Sequence, residues 1–272
     1  MPAADLFRTR DHVPDFDDKV KQYALRSDDV RRSLRAQLDM AYGPQPGQKL
    51  DIFLPGGEGN ALPVHMFIHG GYWRMFSKDD FSYIARTVTA AGAIAVVIDY
   101  GLMPDIRLAE IVEQVRAAKS WITDNISRYG GNAKRLTVSG HSAGAHLATS
   151  LLTLGQHEPP LGVLLLGGVY DIGPLQQSFL QPLIGITDEE VREFSPVNYC
   201  YQSGIAVEIL YGEKETNPFR AQALDLAQRL TEHGCHVRLR VLEARDHMSS
   251  VLDLGLEDTE AADVLRALIG RN

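Results

Sequence analysis

A serine set between two glycines is the clearest chemical signal in this chain. Residues 140–144 read Gly-His-Ser-Ala-Gly, so Ser142 has a glycine two positions before it and another two positions after it. This G-x-S-x-G spacing is typical of a nucleophile elbow, a tight strand-to-helix turn in which small residues let neighbouring backbone pass closely. The pattern predicts Ser142 as the nucleophile of an acyl transfer. The competing interpretation is a glycine-rich turn that only packs a helix on a sheet.

A glycine pair upstream could supply the oxyanion donors that such a nucleophile needs. Residues 69–73 read His-Gly-Gly-Tyr-Trp after an apolar run, and glycines let backbone N–H groups approach a carbonyl oxygen. We therefore expect donors in the loop of Gly70, Gly71 and Tyr72, together with the N–H of Ala143 after the serine. The competing interpretation is a glycine turn closed by an aromatic side chain.

Three side chains next to these motifs are candidates for substrate contact. Tyr72 and Trp73 could form an aromatic wall for a planar substrate, although core packing explains Trp73 equally well. His141, directly before the serine, is the third candidate.

Five histidines follow the serine and could act as its general base. The base should lie on a loop at the carboxyl edge of the sheet, and His247, just beyond the predicted strand at 236–242, meets that condition. The other four fit a helix, a turn, a helix end or the start of a strand better: His146, His157, His233 and His236.

The acid that orients the base is left open by position alone. Glu213 and Glu215 lie in the loop after the predicted strand at 206–210, and Asp171 follows another predicted strand. Asp246 adjoins the histidine but would have to fold back on it. Any of these carboxylates could also be an ordinary solvated surface group. The resulting chain order of serine, acid and histidine is that of α/β-hydrolases.

Alternating strands and helices are expected to position these loops. Apolar or alternating runs predict strands at residues 48–54, 64–68, 93–98, 135–138, 163–166, 206–210 and 236–242. Helical spacing is found at residues 108–126, 143–154, 219–230 and 259–268. This alternation predicts an α/β fold with a mostly parallel sheet, helices on both faces and ligands beyond the carboxyl ends of the strands. We interpret residues 15–40 as helical, within an N-terminal cap or lid of residues 1–42.

Composition excludes several classes of function. The chain has 272 residues, which we take as one domain, and its net charge of −8 argues against nucleic-acid or anionic-membrane binding. No apolar run approaches the ~20 residues of a membrane span, so we expect a cytoplasmic protein. Cys200 and Cys235 have no metal-type spacing, and His141 and His146 lack the glutamate of an H-E-x-x-H site. We therefore predict no metal and no cofactor.

The motifs together resemble the arylformamidase, or kynurenine formamidase-like, branch of the serine α/β-hydrolases. The resemblance runs from about residue 50 to residue 252 and is carried by HGGYW at 69–73, IVEQVRAAKSWI at 111–122, RYGGNAKRLTVSGHSAGAHLA at 128–148, GVYDIGPL at 168–175 and DH at 246–247. It implies an α/β-hydrolase fold with Ser142 as nucleophile and His247 as base. It places the acid on Glu215, in the frame of Gly212 and Phe219, and the oxyanion donors on the Gly70–Tyr72 loop and Ala143.

The resulting expectation is a serine acyl hydrolase that cleaves a formyl or short-chain amide or ester through an acyl-enzyme. The alternatives are a carboxylesterase for another small ester and a non-catalytic binding protein of the same fold. A small acyl compound is the expected partner, and a homodimer is compatible with the sequence.

Overall fold

One sheet organises the molecule. The computed structural model describes residues 5–57, 59–155 and 158–271. Within these residues eight strands form a single sheet in the order β1-β2-β4-β3-β5-β6-β7-β8. The strand β2 runs antiparallel to both of its neighbours, and the other pairings are parallel. The bounds are Ala36–Ala41 (β1), Lys49–Phe53 (β2), Leu62–Ile68 (β3), Ile94–Ile98 (β4), Gly131–His141 (β5), Gly162–Leu166 (β6), Ala206–Gly212 (β7) and His236–Leu242 (β8).

Helices connect the strands and cover both faces of the sheet, which confirms the predicted α/β architecture. Short 3₁₀ turns link several of them. The α-helices of the described residues are Thr9–His12 (α1), Phe16–Ser33 (α2), Lys78–Phe81 (α3), Ala85–Ala90 (α4), Leu108–Asn125 (α5), Ala143–Thr149 (α6), Gln181–Ile184 (α7), Asp188–Phe194 (α8), Asn217–Glu232 (α9), His247–Leu252 (α10) and Glu260–Ile269 (α11).

The core lies in two layers, one on each face of the sheet. Alternate residues of β4 illustrate this: Ile94, Val96 and Ile98 pack in the layer under α5, α6 and α9, whereas Ala95 and Val97 pack under α2, α4, α10 and α11. All five are buried, because a strand covered by helices on both faces of the sheet exposes neither side to water. The sheet is therefore a rigid base for the loops at its carboxyl edge.

The N-terminal segment differs from the prediction. The helix expected over residues 15–40 ends at Ser33, and Ala36–Ala41 instead forms the antiparallel edge strand β1. This strand lacks the alternating burial of an ordinary half-buried strand, and a register shift interrupts its pairing with β2. Edge strands with little apolar pattern are hard to distinguish from helix in a sequence. The single-domain assignment stays a prediction.

In the part of the chain that the structure describes, no helix combines the length and the apolar character needed to cross a membrane.

Candidate active site

The serine occupies a tight turn between β5 and α6. Ser142 has φ 56° and ψ −119°, in the left-handed half of the backbone map that residues other than glycine seldom occupy. The flanking glycines make the turn feasible, because a Cβ on Gly140 would lie 2.2 Å from the Gly144 carbonyl oxygen, and one on Gly144 would lie 2.0 Å from the Ile68 oxygen. The amide of Ser142 donates to the Leu166 carbonyl at 2.9 Å. The motif therefore forms a strained elbow, and the alternative of a simple packing turn does not account for that strain.

The glycine loop after β3 lies against this elbow. A Cβ on Gly70 would be 2.8 Å from the His141 carbonyl oxygen and 3.0 Å from Ser142 Cβ, so only glycine allows the approach. Gly71 has φ 111° and Tyr72 has φ 51°. Within the described residues, the amides of Gly71 and Tyr72 donate no hydrogen bond.

The first amides of a helix also have no intrahelical acceptor, and Ala143 is the first residue of α6. Backbone N–H donors from the glycine loop and from the helix start thus lie on either side of the serine.

The tryptophan of the loop belongs to the core, and this corrects the expectation of a substrate wall at that position. Trp73 is fully buried, and its indole Nε1 donates to His146 Nδ1 at 3.3 Å. The other imidazole nitrogen of His146 lies 2.7 Å from the Phe194 carbonyl oxygen. The predicted packing role of His146 is confirmed. Tyr72, in contrast, lines the cavity beside Ser142.

A buried histidine–glutamate pair lies beyond the next strands of the sheet. Nδ1 of His247 is 2.9 Å from Oε2 of Glu215, and the other carboxylate oxygen of Glu215 accepts from the amide of Gly212 at 3.0 Å. The Glu215 side chain is 0 % exposed and that of His247 is 7 % exposed. Because an ionised carboxylate can only accept a hydrogen bond, Nδ1 of His247 carries the proton, and Nε2 of the neutral ring keeps its lone pair.

The loop that carries the histidine is held by its neighbours. Asp246 caps α10 by accepting from the amides of Met248 and Ser249, and it also pairs with Lys19 at 3.3 Å. It does not fold back on the histidine, as expected.

The other candidate acids and bases lie elsewhere. Glu213 is exposed and accepts from the Ala244 amide, while Asp171 accepts from the amide of Gly173. His233 and His236 are not buried, and His157 lies outside the described residues. The structure thus singles out one of the acids that position alone left open, and it is the one implied by the family resemblance.

His141 is buried against His247 rather than facing solvent. Its Nε2 lies 2.9 Å from the carbonyl oxygen of His247, and the two rings lie 4.6 Å apart. Burial, reinforced by repulsion from His247, holds the pKa of His141 well below its ordinary value, so the ring is neutral. Since a carbonyl can only accept, Nε2 carries the proton and Nδ1 keeps a lone pair. No partner for that Nδ1 is found among the described residues.

These groups meet at one small cavity. A space of about 30 Å³ is lined by Ser142, His247, His141 and Tyr72. The N-terminal segment contributes Thr9 of α1 and Phe16 and Tyr23 of α2 to its wall. The lining is completed by Gly71, Met75, Phe76, Phe81 and Met248. The cap predicted at the N-terminus therefore contributes directly to the site.

Sequence reasoning missed one glycine of this site. Gly167 follows β6, the strand between the serine and the acid, and has φ 53°. A Cβ there would lie 2.8 Å from Oε1 of Glu215 and 3.2 Å from Nδ1 of His247. The signal was available in the sequence as a Gly-Gly pair at the carboxyl end of a predicted strand. Across the described residues, no group of three or more His, Cys, Asp or Glu side chains is arranged to hold a metal ion.

The fold and the arrangement at its carboxyl edge are those of an α/β-hydrolase. A solved structure from Silicibacter sp. TM1040 matches the whole chain with a TM-score of 0.86 at 24 % identity. A hyperthermophilic esterase from Pyrobaculum calidifontis matches 93 % of this chain and 91 % of its own with a TM-score of 0.75 at 19 % identity. At such low identities these likenesses establish the fold alone.

Sequence comparison places the chain within this class. The family model BD-FAE matches residues 50–162. The kynurenine formamidase of Danio rerio is 28 % identical over 100 % of this chain and 92 % of its own length, and that of Drosophila melanogaster is 24 % identical over 80 % and 77 %. These likenesses support an arylformamidase-like α/β-hydrolase, in agreement with the motifs of the sequence. The comparisons support a hydrolase that acts on small esters or amides.

Proposed function

We propose that this protein is a cytoplasmic serine hydrolase that removes a formyl or short-chain acyl group from an amide or ester of an aromatic compound. The observation that carries the proposal is the buried pair of His247 and Glu215, whose histidine lines one cavity with Ser142. A structural role does not require a buried carboxylate and imidazole at the edge of a cavity next to a strained serine.

In the proposed mechanism His247 removes the proton from the Ser142 hydroxyl as the oxygen attacks the acyl carbon. Glu215 holds the imidazole in the required tautomer and stabilises its cation. The amides of Gly71, Tyr72 and Ala143 would stabilise the oxyanion, and removal of one such donor raises a barrier by ~3 kcal/mol. The histidine then returns the proton to the leaving amine or alcohol, and water repeats the cycle on the acyl-enzyme.

The size of the cavity supports a small acyl group. A space of about 30 Å³ exceeds the ~10–15 Å³ that one buried water molecule requires but leaves room for only a few atoms. A formyl or acetyl group fits such a space, whereas a long acyl chain would require the N-terminal wall to move. Gly71 and Tyr72, whose amides donate no hydrogen bond within the described residues, both line this cavity.

A carboxylesterase is the second candidate, and a specific likeness favours it. The isoprenylcysteine alpha-carbonyl methylesterase ICME of Arabidopsis thaliana is 32 % identical over 46 % of this chain and 28 % of its own length. The proposed triad would serve either reaction, because both form an acyl-enzyme at the serine and release it by hydrolysis.

The deciding experiment compares kcat/KM for N-formylkynurenine with kcat/KM for a short-chain aryl ester. A formamide value of ~10⁴ M⁻¹s⁻¹ or more would identify a formamidase, whereas rapid ester cleavage with negligible formamide turnover would identify a carboxylesterase. Ser142→Ala should abolish both activities and labelling by a fluorophosphonate. Ser127→Ala, at an exposed serine, is the matched control. Wild-type turnover by Ser142→Ala would refute the proposal.

A further inference from the structure

The helix that begins at His247 is too short to hold its own position. It has six residues, His247–Leu252, and isolated helices shorter than about 12 residues are marginal in water. Its place beside Ser142 must therefore come from contacts with other elements. The contacts nearest the proposed base fall on three successive residues, which we call the base turn: Asp246, His247 and Met248.

Helix α2 holds both ends of the base turn. The ammonium group of Lys19 lies 3.3 Å from the carboxylate of Asp246 and also pairs with Asp15. The hydroxyl of Tyr23 donates to the carbonyl of Met248 at 2.7 Å. Lys19 and Tyr23 are four residues apart and so lie on the same face of α2. Both are buried, so these contacts are shielded from bulk water.

The serine elbow holds the middle of the base turn. His141, the residue before the nucleophile, donates from Nε2 to the carbonyl of His247 at 2.9 Å. The loop of the serine and the loop of the histidine are thus joined directly, and α2 holds the second loop from its other side. Glu215 fixes the imidazole ring, whereas these contacts fix the backbone that carries the ring.

The ring of Tyr23 is packed so that its hydroxyl has a defined position. It stacks on Tyr83 with ring centroids 5.7 Å apart and lies 5.2 Å from the ring of Phe81. Burial raises the pKa of the Tyr23 hydroxyl well above its ordinary value, so the hydroxyl keeps the proton that it donates. A phenylalanine would fill the same space. The hydrogen bond to Met248 is therefore what the hydroxyl adds to this packing.

We propose that Tyr23 is a positioning residue, which sets the distance between His247 and Ser142 through its hydrogen bond to the Met248 carbonyl. Lys19 assists it from the same face of α2. The proposal rests on the proposed hydrolase function and gives the N-terminal helix a part in the reaction besides covering the cavity. A displacement of about 1 Å in a reacting group can lower a rate by ~10²-fold, so the loss of such a contact is measurable.

Tyr83 provides a matched control, because it makes the same kind of contact one turn further along α10. Its hydroxyl donates to the carbonyl of Val251 at 3.2 Å, and its ring is as deeply buried as that of Tyr23. Tyr23→Phe and Tyr83→Phe therefore each remove one buried hydroxyl from one carbonyl of the same helix. Only the first of these carbonyls adjoins His247.

The measurements are kcat and KM for a short-chain aryl acetate, the rate constant of inactivation by a fluorophosphonate, and the midpoint of urea unfolding. Tyr23→Phe should lower kcat by at least about tenfold at an unchanged KM, and it should slow inactivation to a similar extent, because both reactions require His247 to take the proton of Ser142. Tyr83→Phe should lower the urea midpoint by a similar amount but change both rates by less than about threefold.

A second variant removes the other contact between α2 and the base turn. Lys19→Met should lower kcat at an unchanged KM, as Tyr23→Phe does. The double variant should lose less activity than the product of the two single losses, because either change alone already releases the same turn.

The outcomes separate the two proposals. A smaller loss of kcat in Tyr23→Phe, an equal loss in Tyr83→Phe, or a loss confined to KM overturns the positioning role, and the hydrolase stands as long as Ser142→Ala is inactive. Turnover that persists in Ser142→Ala overturns the hydrolase itself.

Discussion

Replacement of Glu215 by glutamine tests the proposed triad at the contact between Glu215 and His247. The glutamate has two different partners, since Oε1 accepts from the amide of Gly212 at 3.0 Å and Oε2 lies 2.9 Å from Nδ1 of His247. In Glu215→Gln the amide oxygen is the only side-chain acceptor that remains, and the backbone N–H of Gly212 can only donate. The oxygen should therefore face Gly212, which turns the new NH₂ group towards His247.

This rotation would force the imidazole into the wrong tautomer. Nδ1 of His247 would have to accept a hydrogen bond from the glutamine, so the ring proton would move to Nε2 and block the removal of the serine proton. The variant also loses a buried negative charge, because the Glu215 side chain is 0 % exposed. Losses of this kind in serine hydrolases are about 10³- to 10⁴-fold in kcat, or about 4–5.5 kcal/mol of barrier.

The assay is kcat/KM for a short-chain aryl acetate, with urea unfolding as the check that the variant is folded. Glu213→Gln is the matched control, because Glu213 lies two residues away, is exposed and accepts from the Ala244 amide rather than from His247. It should change kcat/KM by less than threefold. An activity of Glu215→Gln within tenfold of wild type, or an equal loss in the control, would refute this reasoning.

Two further predictions concern stability. Burial lowers the pKa of His65 to about 3, and its ring nitrogens face the hydroxyls of Thr137 and Ser139. Because the unfolded chain takes up the proton first, His65 should remove about 2 kcal/mol of stability between pH 7 and pH 5, and His65→Gln should flatten the pH dependence of urea unfolding by that amount. A slope equal to that of wild type would contradict this. Tyr72→Phe removes the hydroxyl that donates to the Phe7 carbonyl, so we expect a loss of about 1 kcal/mol and faster amide exchange near Phe7, and unchanged exchange would count against it.

Most of the sheet could be predicted because its strands are buried on both faces. Unbroken apolar runs such as residues 94–98 indicate such strands by composition alone, and the alternating run at His236–Leu242 was placed with its observed bounds. The edge strand Ala36–Ala41 had neither signal, because it is mostly exposed and takes its conformation from its partner β2. Pairing of this kind is a tertiary interaction, and local sequence does not encode it.

The candidate site shows the same division between local and distant causes. The elbow at Ser142 could be predicted since its steric requirement falls on residues two positions away. The choice between Glu213 and Glu215 could not be made from position, because both follow β7 and only the direction of the turn buries one of them. Gly167 escaped notice for a related reason. The absence of a Cβ on Gly167 leaves room for the carboxylate of Glu215, 48 residues further along the chain, and for the imidazole of His247.

The proposed chemistry and the proposed selectivity come from different parts of the chain. Ser142, Glu215 and His247 follow strands of the sheet, where the backbone is buried and fixed. The wall of the cavity beside Ser142, in contrast, includes Thr9 and Phe16 from the segment before the first strand. A change at these two positions would alter the space offered to a leaving group without moving the catalytic atoms. Chains that share the elbow and the glycine loop can therefore differ in substrate, and exchange of residues 5–16 between such chains should change the ratio of kcat/KM for substrates that differ in their leaving group.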